Sequence, residues 1–476
     1  MVARMMYSPA LALLVPIAVT MLLTMVSAHR VTPGQGAAAF LLLLFPCASY
    51  LNWKATYQHR LPLFAMLAFL HWLYFALPLF LGGRRVQARL SFNASDASIT
   101  AVMWLTVIGV CCLWAGMKLS WVPWQPARFP DISPAHSRQL LYVALLGGTL
   151  LNASSRFETL LGESGRNAMV ILSTVVPLTA LVILMRQWLA GQATELDKTL
   201  VVAALAARVI FGLASGWAGG VAFLGIMCVA VYASERRRLP WVAVAVAVPT
   251  FLFLQVGKES FRRTYWMRDA SGSVVERLVY WAQASFRQWS NVLDANPDGD
   301  PSELASKAFQ RVSLLEQASN VVEKTPSAVD FQNGKTYSYL LVTFIPRFLW
   351  PDKPSVSEAN RQYQVDYGLT HERDLDRVSI SVGFLMEGYL NFGRPGVAAA
   401  CFLVGLLLGA FAKTFLAPES GFLWAGLGFA LSAPLLSIEW QAGQYLSGLV
   451  QQILLTVAVY YPVLGPRHTR AQEAAS

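Results

Sequence analysis

The chain has 476 residues, 55% hydrophobic and 13% charged, with a mean hydropathy of +0.46 and a formal charge of +10. Soluble domains carry about a quarter charged residues, so a deficit of this size excludes an ordinary soluble fold and reads as a polytopic membrane protein. The basic excess is no nucleic-acid footprint, because it is scattered over short links between apolar runs, whereas residues 257–382 hold 15 Lys+Arg against 16 Asp+Glu.

The first apolar run, Ser8–Ala28, exceeds the roughly 7–15 residues of a signal-peptide core and is read as a span. Further spans are predicted at 36–53, 61–82, 98–118, 138–153, 168–188, 198–215, 219–233, 239–256, 395–415, 421–440 and 445–463. This is an all-α polytopic membrane protein of about twelve helices, since lipid offers no partner to unpaired backbone groups. The link Ser234–Pro240 (SERRRLP) marks the cytoplasmic side. Counting from it puts both termini inside and one long loop outside. Gly82–Leu90 (GGRRVQARL) runs against this scheme, with three arginines outside. The chain divides into an N-terminal bundle of about nine spans (1–256), the outer loop (257–383), C-terminal spans (384–463) and an inner tail (464–476).

Within the loop, Ser273 with Glu276, and Asp300 and Pro301 with Glu303, are start signals for two amphipathic helices. Leu278, Trp281, Ser285, Trp289 and Val292 share a face on the first. Leu304, Ala308, Phe309, Val312, Leu315 and Val322 form a stripe on the second. Both are expected on the outer leaflet or over the mouth of the bundle.

The stretch Phe344–Ser355 (FIPRFLWPDKPS) follows. Its three prolines forbid a regular helix, so a short element dipping back toward the membrane and lining a cavity is expected. Arg347 would bring a fixed fork of donors and Lys353 a compact charge, a combination suited to a pyrophosphate. Asn360–Gly396 then supplies Arg361, Asp366, His371, Arg373, Arg377 and, in an apolar stretch, Glu387. A carboxylate there is costly and marks a functional candidate. Two readings stand for it: removal of a proton from a sugar hydroxyl, or pairing with a nearby arginine. Lys258, Glu259, Arg262 and Arg263 leave the ninth span as an interfacial anchor or as a seat for an anionic headgroup. Arg208, inside the seventh span, either pairs with a helix carbonyl or carboxylate or joins the cavity as an intramembrane site residue.

No nucleotide-binding loop, dinucleotide fingerprint, hydrolase elbow or His/Cys metal spacing occurs in the sequence, so no metal or other cofactor is expected. All five cysteines lie in apolar segments and imply no disulfide framework.

The run Pro346-Arg347-x-x-Trp350-Pro351-x-Lys353-Pro354, then Asn360, Tyr363, Gly368 and Ser379, then Gly383-x-x-x-Glu387-x-Tyr389-x-Asn391-Phe392-Gly393-x-x-Gly396, resembles the signature of Wzy-type O-antigen and exopolysaccharide repeat-unit polymerases. The likeness covers Phe344–Gly396. Many members of that family carry a Gly-Ser-Arg-Gly run where this chain has Gly212–Gly220 (GLASGWAGG), with Arg208 a turn earlier. The resemblance implies a GT-C-like enzyme of the bacterial inner membrane. Such an enzyme joins oligosaccharide repeat units carried on undecaprenyl pyrophosphate at the periplasmic face. Its partners would be that lipid-linked oligosaccharide, membrane lipids, a chain-length regulator and a flippase, with no nucleic acid and no cofactor. Arg347, Lys353 and Arg361 would then hold the pyrophosphate, with Arg373, Arg377, Arg262 and His371 in reserve. Glu387 would be base or acceptor orienter, with Asp366 second. An O-antigen ligase-like glycosyltransferase and a lipid-linked oligosaccharide flippase or transporter are the rival readings.

Overall fold

The computed structural model describes residues 9–27, 31–81, 94–153, 162–216, 218–266, 271–294, 313–343, 345, 350, 354–355, 357–375, 380–446 and 448–466. Within these residues the chain is helical almost throughout. The helices are α1 (Pro9–Val26), α2 (Pro33–Thr56), α3 (Leu63–Leu81), α4 (Asp96–Leu119), α5 (Arg138–Ala153), α6 (Gly162–Ser173), α7 (Val175–Ala190), α8 (Glu195–Ala214) and α9 (Ala218–Arg236). They continue with α10 (Trp241–Tyr265), α11 (Val274–Asp294), α12 (Leu315–Lys324), α13 (Lys335–Thr343), α14 (Glu358–Asp366), α15 (Gly383–Phe415), α16 (Phe422–Leu435), α17 (Ala442–Leu446) and α18 (Leu449–Tyr460). Each predicted span overlaps a helix, but the one at 421–440 outruns α16, which ends at Leu435. Among the described residues, eight helices are long and apolar enough to cross a membrane, and α1 and α16 contribute shorter apolar helices. The chain is an all-α, multi-pass membrane protein.

Local chemistry explains the boundaries. Thr32 starts α2 with a reciprocal capping box: its hydroxyl accepts from Gln35 N at 3.3 Å, and Gln35 Oε1 accepts from Thr32 N at 3.0 Å. Thr194 and Asp197 repeat the arrangement at α8. The Ser273–Glu276 box expected for the first loop helix starts α11, with the Glu276 carboxylate accepting from Ser273 N at 2.8 Å. The start signals at Asp300 to Glu303 lie outside the described residues. Of the second predicted loop helix only the C-terminal part is described, as α12; Ser313 and Leu314 before it are not helical, and Leu304, Ala308, Phe309 and Val312 lie outside the described residues.

The described chain forms two compact units that interleave in sequence. The first comprises Met1–Pro123, Ala305–Lys413 and Pro434–Val450; the second comprises Trp124–Leu304, Thr414–Ala433 and Gln451–Ser476.

In the first unit α2 packs against α1, α3 and α4, and α12 packs on α4. Helix α4 meets α15 backbone to backbone. A Cβ on Gly116 would collide with the carbonyl oxygen of Phe402, one on Gly405 with that of Leu113, and one on Gly409 would lie 2.6 Å from that of Met117. Apolar side chains gain little from leaving lipid, so helices in a membrane associate through such close approaches at small residues.

In the second unit α7 packs against α5, α8 and α9. Asp131 caps α16, its carboxylate accepting from Phe422 N at 2.6 Å and Leu423 N at 2.9 Å. Arg186 bonds Glu235 at 2.7 Å and lies over the Phe422 ring. Helix α11 turns back along α10, burying Trp281 and Ser285. The Trp281 indole donates to the Leu254 carbonyl at 2.8 Å. The loop helix is thus a second layer on the ninth span.

A leucine at Gly116 has no space, whereas the side of α5 at Gly147 is open. Gly116→Leu should cost about 1–3 kcal/mol or more and lower the unfolding temperature of the detergent-purified protein by several degrees, with Gly147→Ala unchanged. Equal melting of the two variants would contradict the close α4–α15 contact.

Candidate functional site at a broken helix

Helix α15 is broken nine residues after its start at Gly383. Phe392 has left helical geometry, and Gly393 sits at φ 65°, ψ −147°, a region open essentially to glycine. In an unbroken helix, residues eight apart lie about 12 Å from each other. Here a Cβ on Gly388 would stand 2.5 Å from the Gly396 carbonyl oxygen, so the chain doubles sharply at the break.

The break strands backbone groups, and the loop before α13 takes them up. Pro395 has no N–H to give the Asn391 carbonyl four residues earlier. The Asn333 N–H supplies that bond at 3.2 Å, and the Gln332 N–H donates to the Leu390 carbonyl at 2.9 Å. The Asn391 side chain completes the joint. It accepts from Gly334 N at 2.9 Å, and donates to the Thr336 hydroxyl at 2.6 Å and the Glu387 carbonyl at 2.8 Å. Gly334 (φ 88°) and the Tyr337 ring, stacked on Phe392, close the loop over the kink.

Glu387 lies one turn before Asn391 and is fully buried. Its Oε2 accepts from Ala442 N at 2.6 Å, at the start of α17. The Thr336 hydroxyl also faces the carboxylate. Its Oε1 is buried with no hydrogen-bond partner. Among the described residues no arginine pairs with Glu387; its described partners are a backbone amide and a hydroxyl. Beside it, Gln441 is buried with both amide atoms unpartnered, and Gly383 (φ 77°) starts α15 against the Ile438 carbonyl. Tyr74, in a π-helical turn of α3 (Trp72–Ala76), bonds Glu439 through its hydroxyl and accepts from Leu314 N at 3.0 Å through its carbonyl.

The other site residues expected from sequence are distributed unevenly. Arg347, Lys353 and Arg377 lie outside the described residues. Arg361 is half-buried on α14, with Nε 3.8 Å from Glu358 Oε2. Asp366, His371 and Arg373 are exposed. Asp366 accepts from Gln332 Nε2 at 3.4 Å, and Gln332 also holds the Leu390 carbonyl. The exposed Asp366 and the buried Glu387 thus sit on elements joined by one residue. Tyr363 is buried with an unpartnered hydroxyl, and burial pushes its ionisation well above the ordinary range.

Arg208 and Arg262 belong to the second unit. Arg208 Nη2 donates to the Ser173 carbonyl at 2.9 Å. Pro177, four residues on, lacks the N–H that would have filled that carbonyl. Arg208 therefore repairs the junction between α6 and α7, one of the two roles expected for it. Arg262 lies 4.2 Å from the centre of the Trp266 ring, and Arg263 pairs with Glu259 at 2.9 Å. The end of the ninth span is bound up with its own neighbours.

Sequence reasoning passed over Gln441 and the polar face of α12. On that face Glu316 Oε1, Gln317 Oε1 and Asn320 Oδ1 are buried without partners, and burial pushes the Glu316 carboxyl up to about 7. The available signal was the polar group Glu439–Gln441 between two apolar runs, and the i, i+1, i+4 spacing of 316, 317 and 320.

Removing Arg208 strands a buried carbonyl, a loss of about 1–3 kcal/mol. Arg208→Met should lower the unfolding temperature in detergent, and adding Pro177→Ala, which restores an N–H, should recover most of it. No recovery would separate Arg208 from Ser173. Glu316 carries its own pH signature. A carboxyl whose folded pKa is raised holds its proton in the native state, so its contribution is fully present below about 4.5 and is lost as pH rises to about 7. Glu316→Gln should flatten stability against pH in that window; an unchanged slope would assign it to other groups.

A family model described as a domain of unknown function, DUF8712, matches residues 156–419. No curated protein and no solved structure matches the chain. The matched region is more than half of the chain and runs from α6 through Arg208 to the broken helix, and the chain belongs to the DUF8712 family.

Proposed function

We propose that the chain polymerises undecaprenyl-pyrophosphate-linked oligosaccharide repeat units at the periplasmic face of a bacterial inner membrane. On this reading it is a GT-C-like enzyme of about twelve spans, with both termini cytoplasmic and the 257–383 loop periplasmic. One observation carries the reading. Five residues of the polymerase-like signature meet in a single joint: Gly383, Glu387, Asn391, Gly393 and Gly396 build the broken helix, and Asp366 is tied to it through Gln332.

In the proposed reaction the acceptor sugar hydroxyl attacks the anomeric carbon of the donor glycan. The glycosidic oxygen of the lipid pyrophosphate leaves with the bonding pair, and the hydroxyl proton passes to a base. The energy is already in the sugar–pyrophosphate bond, so the protein's part is to orient the acceptor and stabilise charge on the leaving group. Arg347, Lys353 and Arg361 hold the pyrophosphate, with Arg373, Arg377 and His371 nearby in sequence. Asp366, being exposed, is the proton acceptor. Glu387, sealed and capping α17, is a positioning residue that fixes the break. This reverses the order of the two carboxylates expected from sequence.

Purified protein given extracted lipid-linked repeat units alone should lengthen them. A ligase would need a second acceptor class, and a flippase would lengthen nothing; either result would reject the polymerase. Arg347→Ala should leave single repeat units in cells, and Arg347→Lys should fail as well if the bidentate fork matters. Asp366→Asn should lower the rate on the order of 10²–10⁴. Glu387→Gln, whose amide oxygen can still accept from Ala442 N, should stay within about tenfold of wild type, while Glu387→Leu loses the fold. The opposite ranking of Asp366→Asn and Glu387→Gln would return the base role to Glu387.

A further inference from the structure

Helix α11 has two apolar faces, and only one is used against α10. Trp281, Ser285 and Trp289 point at the ninth span, where Trp281 and Trp289 donate to the Leu254 and Phe253 carbonyls at 2.8 and 3.3 Å. Trp281 packs there with Phe261 and Ala218 in a small buried cluster. The second face carries Val275, Val279, Ala282 and Phe286, spaced i, i+4, i+7 and i+11, so that one stripe runs along the helix. That stripe is open: Val275 is 68% and Phe286 67% exposed. At its Phe286 end lies a groove of about 500 Å³ lined by Phe253, Ala282, Gln283, Phe286 and Arg287.

Three observations say what fills it. Phe253 belongs to α10, one of the helices apolar and long enough to cross a membrane, so the groove continues a lipid-facing surface. It ends one turn before the charges begin at Lys258 and Glu259, placing it at the boundary between apolar and polar surroundings. Arg287 stands at its rim with no carboxylate partner among the described residues; its Nε donates weakly, at 3.4 Å, to the Gln283 carbonyl of its own helix. The neighbouring cations are engaged, Arg262 by Trp266 and Arg263 by Glu259. An apolar trough ending at an unpaired guanidinium fits an amphiphile with an anionic head.

We propose that the α10–α11 groove binds an anionic phospholipid of the surrounding bilayer, one acyl chain lying against Phe253, Ala282 and Phe286 and the phosphate held by Arg287. The site is independent of the catalytic reading. It fastens the first loop helix to the membrane surface on the side that α10 leaves open.

Native mass spectrometry of the full chain in detergent tests this, with phosphatidylglycerol, phosphatidylcholine and undecaprenyl phosphate as separate probes. Wild type should retain one phosphatidylglycerol on the order of tenfold better than phosphatidylcholine, whose choline cation is repelled by the guanidinium that holds the phosphate. Arg287→Gln should abolish that preference, and Phe286→Ser should weaken retention of both lipids. Arg263→Gln, whose guanidinium is paired, should leave the preference intact. Equal retention of the two phospholipids by wild type, or a preference surviving Arg287→Gln, would overturn the site. Stronger retention of undecaprenyl phosphate than of phosphatidylglycerol would overturn the assignment to a bilayer phospholipid. Unchanged melting of Arg287→Gln, an exposed substitution, should show that a lost preference is not unfolding.

Discussion

A proline inside an apolar helix removes one N–H and leaves the carbonyl four residues earlier without its partner. In water that carbonyl is hydrated. In lipid or in a protein interior it must be filled from elsewhere or cost about 1–3 kcal/mol. Two of the prolines in this chain's helices show the condition met by different means. Pro177 strands the Ser173 carbonyl, and the Arg208 guanidinium crosses from α8 to fill it. Pro395 strands the Asn391 carbonyl, and the backbone of the 332–334 loop comes in to fill it.

The second repair organises the first unit. Once Gln332, Asn333 and Gly334 are drawn to the break, the start of α13 follows, bringing Thr336 to Asn391 and Tyr337 to Phe392. Gln332 also reaches Asp366 and so ties down the end of α14. From the other side, Glu387 holds the first amide of α17. Four short elements that could not persist alone in water are thereby fixed to one kink in one membrane helix. The glycines serve the same end. Gly393 permits the turn, while Gly388 and Gly396 let the two arms touch.

The helices were legible because length and apolarity decide them: every predicted span overlaps a helix, and the box at Ser273 starts α11 as its residues require. Less legible was where α15 begins. The span predicted at 395–415 marks only its second arm, because Gly393-x-Pro395 reads as a helix stop; the first arm, from Gly383, is helix stabilised by partners distant in sequence. The site was legible in part. The spacing of Gly383, Glu387, Asn391 and Gly396 could be read, but not that Glu387 caps another helix. Gln441 and the α12 face were missed because an amide in a polar link carries no motif. Only burial, which tertiary packing decides, sets it apart from the surface.

Both units commit some buried polar groups to holding the fold and leave others over. In the second, two cations hold helices together: Arg186 to Glu235 and Arg208 to Ser173. In the first, buried hydrogen-bonding capacity is left over. Glu387 Oε1, the Gln441 amide, Asn320 Oδ1 and the Tyr363 hydroxyl are enclosed and unmatched within the protein. Folded proteins leave few such groups, because each forfeits its hydration for nothing in return. The second unit encloses such atoms as well, Thr149 Oγ1, Gln187 Oε1 and Thr456 Oγ1 among them, so an unmatched atom alone does not mark a site. Glu387 and Gln441 are set apart by their place beside the break in α15, where the carboxylate also holds the first amide of α17.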